Sequence, residues 1–450
     1  MNLQLILLAT FVLLKIHGST CATCSFAYAT WGYGCQLSNQ IIENETDLIV
    51  IDGEHVEGHG DEDVTWIGSE NSRISFFPNR LIEHFANATR ANFDKSQMTT
   101  FLQPVNCGRL IYLTLEDNLL GGIPDEIFTN CYNIRTLVLS GNNFGSVGEN
   151  ALIGLTRLDS LDLVNCNLSS IHPNAFSSLR VLTAIALSFN NLEFLDSNLF
   201  KYASWLNTVR LDNNRLRTIP EDIFLKDINL RLVNLSQNQI TSISGATFSS
   251  RFWISGLVDL SNNLIEELPI FELTTGLTHL NVDNNRIKNI KPQTFEGLWS
   301  LNMLRLGNNL IEDLQPGSFQ GTRSLTFLFL NSNNISELQP DSLNGLTVLR
   351  ELWLTDNRLT HLNASPFTSM NSLWTLHVER NQIESIDRQL FHVLPSLSYL
   401  NLTGNDDTFS IYRDVNDNPI VPQIGTCSSG SITHLELLVL VFLLTSRYFI

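Results

Sequence analysis

From Leu110 onward a single pattern, L-x-x-L-x-L-x-x-N-x-L-x-x-I, returns with a period of 24 residues. Its first copies are Leu110, Leu113, Leu115, Asn118, Leu120, Ile123 and then Ile134, Leu137, Leu139, Asn142, Phe144, Val147. The Asn place continues through Cys166, Asn190, Asn214, Asn238, Asn263, Asn285, Asn309, Asn333, Asn357 and Asn381 to Asn405. One such period cannot bury its own leucines, so successive turns must stack and share a continuous core. A length of 450 residues would otherwise suggest two or three globular domains. The repeat replaces them with one long solenoid.

Each L-x-L reads as a short parallel strand with its leucines turned inward. The Asn that follows is then a buried polar group, acceptable only if its amide bonds the backbone of the adjoining turn. Ten residues later an apolar ring recurs at Phe128, Phe176, Phe200, Phe224, Phe248, Phe295, Phe319, Phe367 and Phe391, with Leu152 and Leu343 substituting. A fixed spacing is what packing of the outer half of the core predicts, so these rings are core and not a cofactor box. Two degenerate units precede the regular ones, Val64, Ile67, Ser72, Ile74, Phe77 and Ala91, Phe93, Ser96, Met98, Phe101, with serine in the Asn place.

Residues 110–405 resemble the leucine-rich-repeat family. The resemblance implies an α/β repeat fold: a curved, horseshoe-like solenoid with a parallel sheet on the concave face, about 15 turns of about 24 residues. In kind it extends to insect adhesion and recognition proteins of the chaoptin, connectin and Toll-receptor-ectodomain type. These bind proteins or microbial surfaces and need no cofactor. The expected organisation is a signal peptide over 1–22, an N-terminal cap over 24–61, degenerate repeats over 62–109, the solenoid over 110–409, a C-terminal segment over 410–427 and a processing signal over 428–450.

The ends point to export. An apolar run from Leu5 to Leu14 followed by small residues fits a signal peptide and is too short to span a bilayer. Sequons at Asn44, Asn87, Asn167, Asn234, Asn334, Asn363 and Asn401 then become glycosylation sites, and the oxidising compartment permits disulfides. Cys107 and Cys131 stand 24 residues apart at equivalent places on neighbouring turns, so they pair. Cys24 and Cys35 close a loop in the cap. Cys166 occupies the Asn column and reads as a buried thiol, Cys21 is lost on cleavage near Ala22, and Cys427 has no evident partner. The apolar run Leu437–Leu444 is also too short to span a membrane. Small residues, a spacer and this run match a signal for a glycosylphosphatidylinositol anchor at Ser428, Ser429 or Gly430. A secreted protein with an apolar C-terminus is the other reading.

Reading outward-facing columns across turns maps the surface a ligand meets. The residue inside each L-x-L runs Thr114, Val138, Asp162, Ala186, Arg210, Asn234, Asp259, Asn281, Arg305, Phe329, Trp353, His377, Asn401. Two residues earlier stand Met303, Phe327, Glu351, Thr375 and Tyr399, with Trp374 beside them. Arg305, Phe327, Phe329, Trp353, His377 and Tyr399 therefore form an aromatic and basic stretch of the kind interface hot spots use. Rings that only pack on one another and stiffen the sheet would give the same column. Glycans on Asn234 and Asn401 would confine a ligand to the stretch between them.

A net charge of −18 lacks the clustered basic residues that nucleic acid or unassisted lipid adsorption requires. The segment from Asp52 to Asp63, with His55 and His59 among carboxylates, reads as a solvated loop in preference to a metal site, since its glycines disfavour an aligning helix. No nucleophile with a base, carboxylate pair or phosphate loop stands out. The expectation is an extracellular binding protein, not an enzyme, without cofactor or metal. Its partner is a protein or microbial-surface ligand, and its membrane contact is through a lipid anchor. Adhesion molecule or co-receptor is the first role. A secreted immune-recognition protein is the second, and a matrix component or enzyme inhibitor the third. Pairing into homo- or heterodimers is left open.

Overall fold

The computed structural model describes residues 22–48, 51–224, 230–248, 256–271 and 276–405. Residues 1–21 of the expected signal peptide, Cys21, the segment 410–427, Cys427 and the attachment candidates Ser428, Ser429 and Gly430 lie outside the described residues. The chain divides into two compact units, Met1–Asn191 and Leu192–Ile450.

The N-terminal unit opens with an antiparallel hairpin, Ala22–Ala29 against Gly32–Ser38. The second arm starts a parallel ladder that continues through Trp66–Glu70, Arg90–Asn92, Tyr112–Thr114, Thr136–Val138, Ser160–Asp162 and Ala184–Ala186. The C-terminal unit repeats the ladder from Thr208–Arg210 to Tyr399–Asn401, nine strands with one register shift between Gly256 and Leu257. In each three-residue strand the middle residue is the inward one; Leu137, Leu161, Leu328, Leu352 and Leu376 are all fully buried. Burying a side chain of this size contributes about 1.5–3 kcal/mol, so the column of leucines stabilises every turn.

The outer arcs hold little helix. Among the described residues only Asn79–His84 and Leu390–Val393 are α-helical. Elsewhere the arc is a run of tight turns, as where the Thr129 and Cys131 amides bond the carbonyls of Glu126 and Phe128. A 24-residue turn leaves the arc too few residues for a helix of useful length. The arcs nest closely. A Cβ on Gly154, which sits at φ +100°, would lie 2.1 Å from the Phe128 carbonyl oxygen of the preceding arc.

Phe128, Phe176, Phe200, Phe224, Phe248, Phe295, Phe319 and Phe367 are fully buried. The C-terminal unit stacks them, with Phe200, Phe224 and Phe248 at 6.0 and 6.2 Å. Phe271 completes the column where the repeat shortens; it was not visible from the fixed ten-residue offset. Phe391 is only half-buried, because the short helix there turns Leu390 into the core instead.

The Asn column is a hydrogen-bond ladder. Asn142 Nδ2 donates to the Leu115 carbonyl of the preceding turn at 2.9 Å and to the Leu139 carbonyl of its own turn at 2.8 Å. Its Oδ1 accepts the Leu120 amide at 3.1 Å. Asn333 makes the same three bonds to Leu306, Leu330 and Ile311. Cys166 supplies only the donor, Sγ to the Leu139 carbonyl at 3.3 Å, and the Phe144 amide turns to the Cys166 backbone carbonyl at 3.0 Å. Burial pushes this thiol up to about 12, which makes it an inert packing group.

Both expected disulfides are present. Cys24–Cys35 spans 5.1 Å between Cα atoms within the hairpin, and Cys107–Cys131 spans 4.9 Å between neighbouring turns.

Candidate ligand-binding face

Because strands alternate, the two residues flanking each inward leucine share the outer face of the sheet. Ladder pairing places Arg305, Phe329, Trp353, His377 and Asn401 in one row and Met303, Phe327, Glu351, Thr375 and Tyr399 in the next. The predicted residues are therefore brought together on one face.

Their rings do not lie open as expected. Parallel strands sit about 4.8 Å apart, a spacing that lets flat rings on adjacent strands stack face to face. Phe329 and Trp353 stack with centroids 5.6 Å apart, Trp353 and His377 at 3.7 Å, and His377 and Tyr399 meet tilted at 5.5 Å. The Arg305 guanidinium caps the row 4.8 Å from the Phe329 centroid. Stacking leaves Phe329 8% and His377 9% exposed, so this part of the face presents ring edges. Phe327, Trp353 and Tyr399 are half-buried, Phe327 standing in the neighbouring row, and Trp374 is exposed at the rim. Trp353 Nε1 is buried and has no hydrogen-bond partner among the described residues.

A third row, two residues beyond the first, holds the stack in place. Asp283 receives Arg305 Nε at 2.6 Å and the Gly307 amide at 2.6 Å. Burial raises its carboxyl above the ordinary range, with Arg305 opposing. Glu379 receives His377 Nδ1 at 2.9 Å, Thr355 Oγ1 at 2.7 Å and the Asn401 amide. Burial works to raise Glu379 too, but the bonds from His377 and Thr355 outweigh it and hold the carboxyl below its usual value. An ionised carboxylate only accepts, so His377 carries its proton on Nδ1. Asp283 and Glu379 were not among the sequence candidates. Extending the alternation one step past the three-residue strand would have found them.

Elsewhere the same rows carry different chemistry. In the C-terminal unit burial raises Asp259 and lowers His279. In the N-terminal unit Asp94 and Glu116 are raised by burial and by neighbouring carboxylates, and Arg90 lies between the rings of Trp31 and Tyr112 at 4.4 and 5.1 Å. Two sequon asparagines sit in the first row. Asn234 Nδ2 bonds Asp212 at 3.0 Å, and both Asn234 and Asn401 accept from the hydroxyl two residues on at 2.8 Å.

The polar loop at the N-terminus is folded upon itself. His55 stacks on Phe26 at 3.8 Å, and Asp61 lies between His55 Nε2 at 2.9 Å and His84 Nε2 at 3.0 Å. Among the described residues no group of three or more His, Cys, Asp or Glu side chains is arranged to hold a metal, and no helix is long and apolar enough to cross a membrane.

The model for the leucine rich repeat matches residues 275–335 and 347–406, and that for the BspA type leucine rich repeat region, in six copies, matches 106–254. The chain belongs to the leucine-rich-repeat family. Among solved structures this leucine-rich-repeat chain is similar to Toll in the Toll–Spatzle complex, described as a molecular hub in Drosophila development and innate immunity. The TM-score is 0.67 at 20% identity, over 82% of this chain and 50% of that one. It thus spans half the length of Toll. It is also similar to the APL1 leucine-rich repeat domain, at TM-score 0.61 and 19% identity over 82% of this chain and 87% of that one. The LRIM1/APL1C complex gives 0.63 and 18%, over 95% and 75%. At these identities the likeness is one of fold. Curated proteins gave no sequence match.

Proposed function

We propose that this leucine-rich-repeat chain is an extracellular recognition protein that binds a protein or microbial-surface ligand on the sheet face between Arg305 and Tyr399. The observation that carries the reading is the row of Arg305, Phe329, Trp353 and His377, with Tyr399 tilted against His377 from the next row, fixed ring on ring and braced by Asp283 and Glu379. Arginine and large aromatics concentrate binding energy at interfaces, and side chains already held in one geometry lose little freedom on docking. The chain works as a binder without catalysis or cofactor. Glycans on the seven sequons, with those at Asn234 and Asn401 bounding the face, are part of this proposal.

The role is adhesion molecule or co-receptor, attached through a lipid anchor at Ser428, Ser429 or Gly430. The fold likeness to Toll and to the LRIM1/APL1C complex favours a secreted immune-recognition protein as the second reading. Treatment of expressing cells with phosphatidylinositol-specific phospholipase C separates the two: release supports the anchor, while protein found only in the medium rejects it. For the face itself, Phe329→Ala with Trp353→Ala is expected to weaken partner capture by the full chain at least tenfold, a loss of about 1.4 kcal/mol or more, while secretion persists. Unchanged capture would move the interface elsewhere. Lost secretion would make the rings a packing layer.

A further inference from the structure

Beside the Cys107–Cys131 disulfide the N-terminal unit holds a concavity of about 510 Å³ whose lining residues include Asn79, Glu83, Gln103, Asn106, Asn130 and Tyr132. We propose that it binds a neutral saccharide. The site lies away from the aromatic row and stands or falls independently of it.

The lining is built, not incidental. The disulfide fixes two short segments side by side, and each carries wall residues on both sides of its cysteine: Asn106 next to Cys107, Asn130 and Tyr132 on either side of Cys131. Asn79, only 4% exposed, anchors the floor. Its Nδ2 donates to the Pro104 carbonyl at 3.1 Å and its Oδ1 accepts the Asn106 amide at 2.7 Å. Asn106 passes the order on, donating from Nδ2 to Glu83 Oε1 at 3.1 Å and accepting the Gly108 amide at 3.2 Å. Gln103 Nε2 is held by Glu45 at 3.2 Å, which leaves its own oxygen as an acceptor.

The chemistry of this wall selects its ligand. A volume of this size fits a small molecule of one or two rings. Amides and a carboxylate present fixed donors and acceptors, and a sugar hydroxyl is both at once. Tyr132, 58% exposed, offers an apolar face against which the C–H side of a pyranose can be buried. No Lys or Arg lines the concavity and Glu83 does, so an anionic sugar or phosphate is repelled. The wall has too little apolar surface for a lipid.

The test is titration of the intact protein with neutral mono- and disaccharides, namely glucose, mannose, galactose, N-acetylglucosamine, maltose, lactose and chitobiose, followed by calorimetry or NMR, with sialyllactose as the anionic control. At least one neutral sugar is expected to bind at millimolar concentration or below, Tyr132→Ala to weaken it about tenfold, and Tyr132→Phe, which keeps the ring, to restore most of that loss. Glu83→Gln is expected to weaken the neutral sugar and to reduce discrimination against sialyllactose. Tyr132 is exposed, so the thermal midpoint of Tyr132→Ala should match that of the wild type. Absence of any neutral-sugar binding up to about 50 mM, binding indifferent to Tyr132→Ala, or equal binding of sialyllactose would each overturn the proposal.

Discussion

Replacing Glu379 tests whether the aromatic row is held by the third row of the sheet. Its side chain is 12% exposed and accepts from three donors on three successive turns: His377 Nδ1, Thr355 Oγ1 and Asn401 Nδ2. Glu379→Gln keeps the volume but turns one acceptor oxygen into a donor facing other donors. Loss of a charge-assisted bond, plus one mismatched contact, is expected to cost about 1.5–3 kcal/mol at neutral pH. The carboxyl titrates below its ordinary value in the folded chain, so its contribution is present above the unfolded value and disappears as pH falls through the folded one. Urea unfolding of both proteins should therefore show the full difference at about pH 7 and a progressively smaller one as pH falls below the ordinary carboxylate range. Nitrogen NMR of the His377 ring should show Nδ1 protonated in the wild type and a mixture of tautomers in the variant. A difference below about 0.5 kcal/mol, or one that does not shrink on acidification, would refute the assignment of Glu379 as the brace.

Two further expectations follow from the fold. Cys107→Ser with Cys131→Ser removes a cross-link closing 24 residues and is expected to lower stability by about 3–4 kcal/mol, read as a lower urea midpoint with a similar slope. Asp94, Glu116, Asp259 and Asp283 are all raised, mainly by burial, so their contributions are present below the unfolded value and lost as pH rises through the folded ones. The thermal midpoint should therefore rise as pH is lowered from neutrality toward the ordinary carboxylate range and fall again below it, as Glu379 protonates; a midpoint falling steadily from neutrality would contradict this.

The repeat was legible in the sequence because its period is set by covalent length: 24 residues close one turn, and every equivalent side chain then meets its neighbours at the same height. That made the leucine strands, the Asn ladder and the Cys107–Cys131 pair readable directly. The direction of Phe329, Trp353 and His377 was also readable, since alternation decides which face a strand residue takes. Their exposure was not. Whether a ring lies open or against the next ring depends on χ angles and on the brace beneath, and Glu379 and Asp283 fall one step outside the L-x-L strand motif. Phe271 departs from the constant offset because the chain shortens its turn there.

The Asn ladder ties the stability of one turn to that of the next. Each Asn of the column clamps a carbonyl of the turn before it while its oxygen holds that turn's backbone N–H, so a turn that carries the Asn cannot open without stripping its neighbour of both bonds. Opening is favoured at the termini of a unit and must travel inward one turn at a time. Among backbone protons, those of Leu120, Leu216, Ile311, Ile335 and Leu359, bound by Asn oxygens inside the core, are then the last to exchange with solvent. A solenoid fastened in this way frays from the ends of a unit like a zipper, and its interior turns keep their shape while the outer ones breathe.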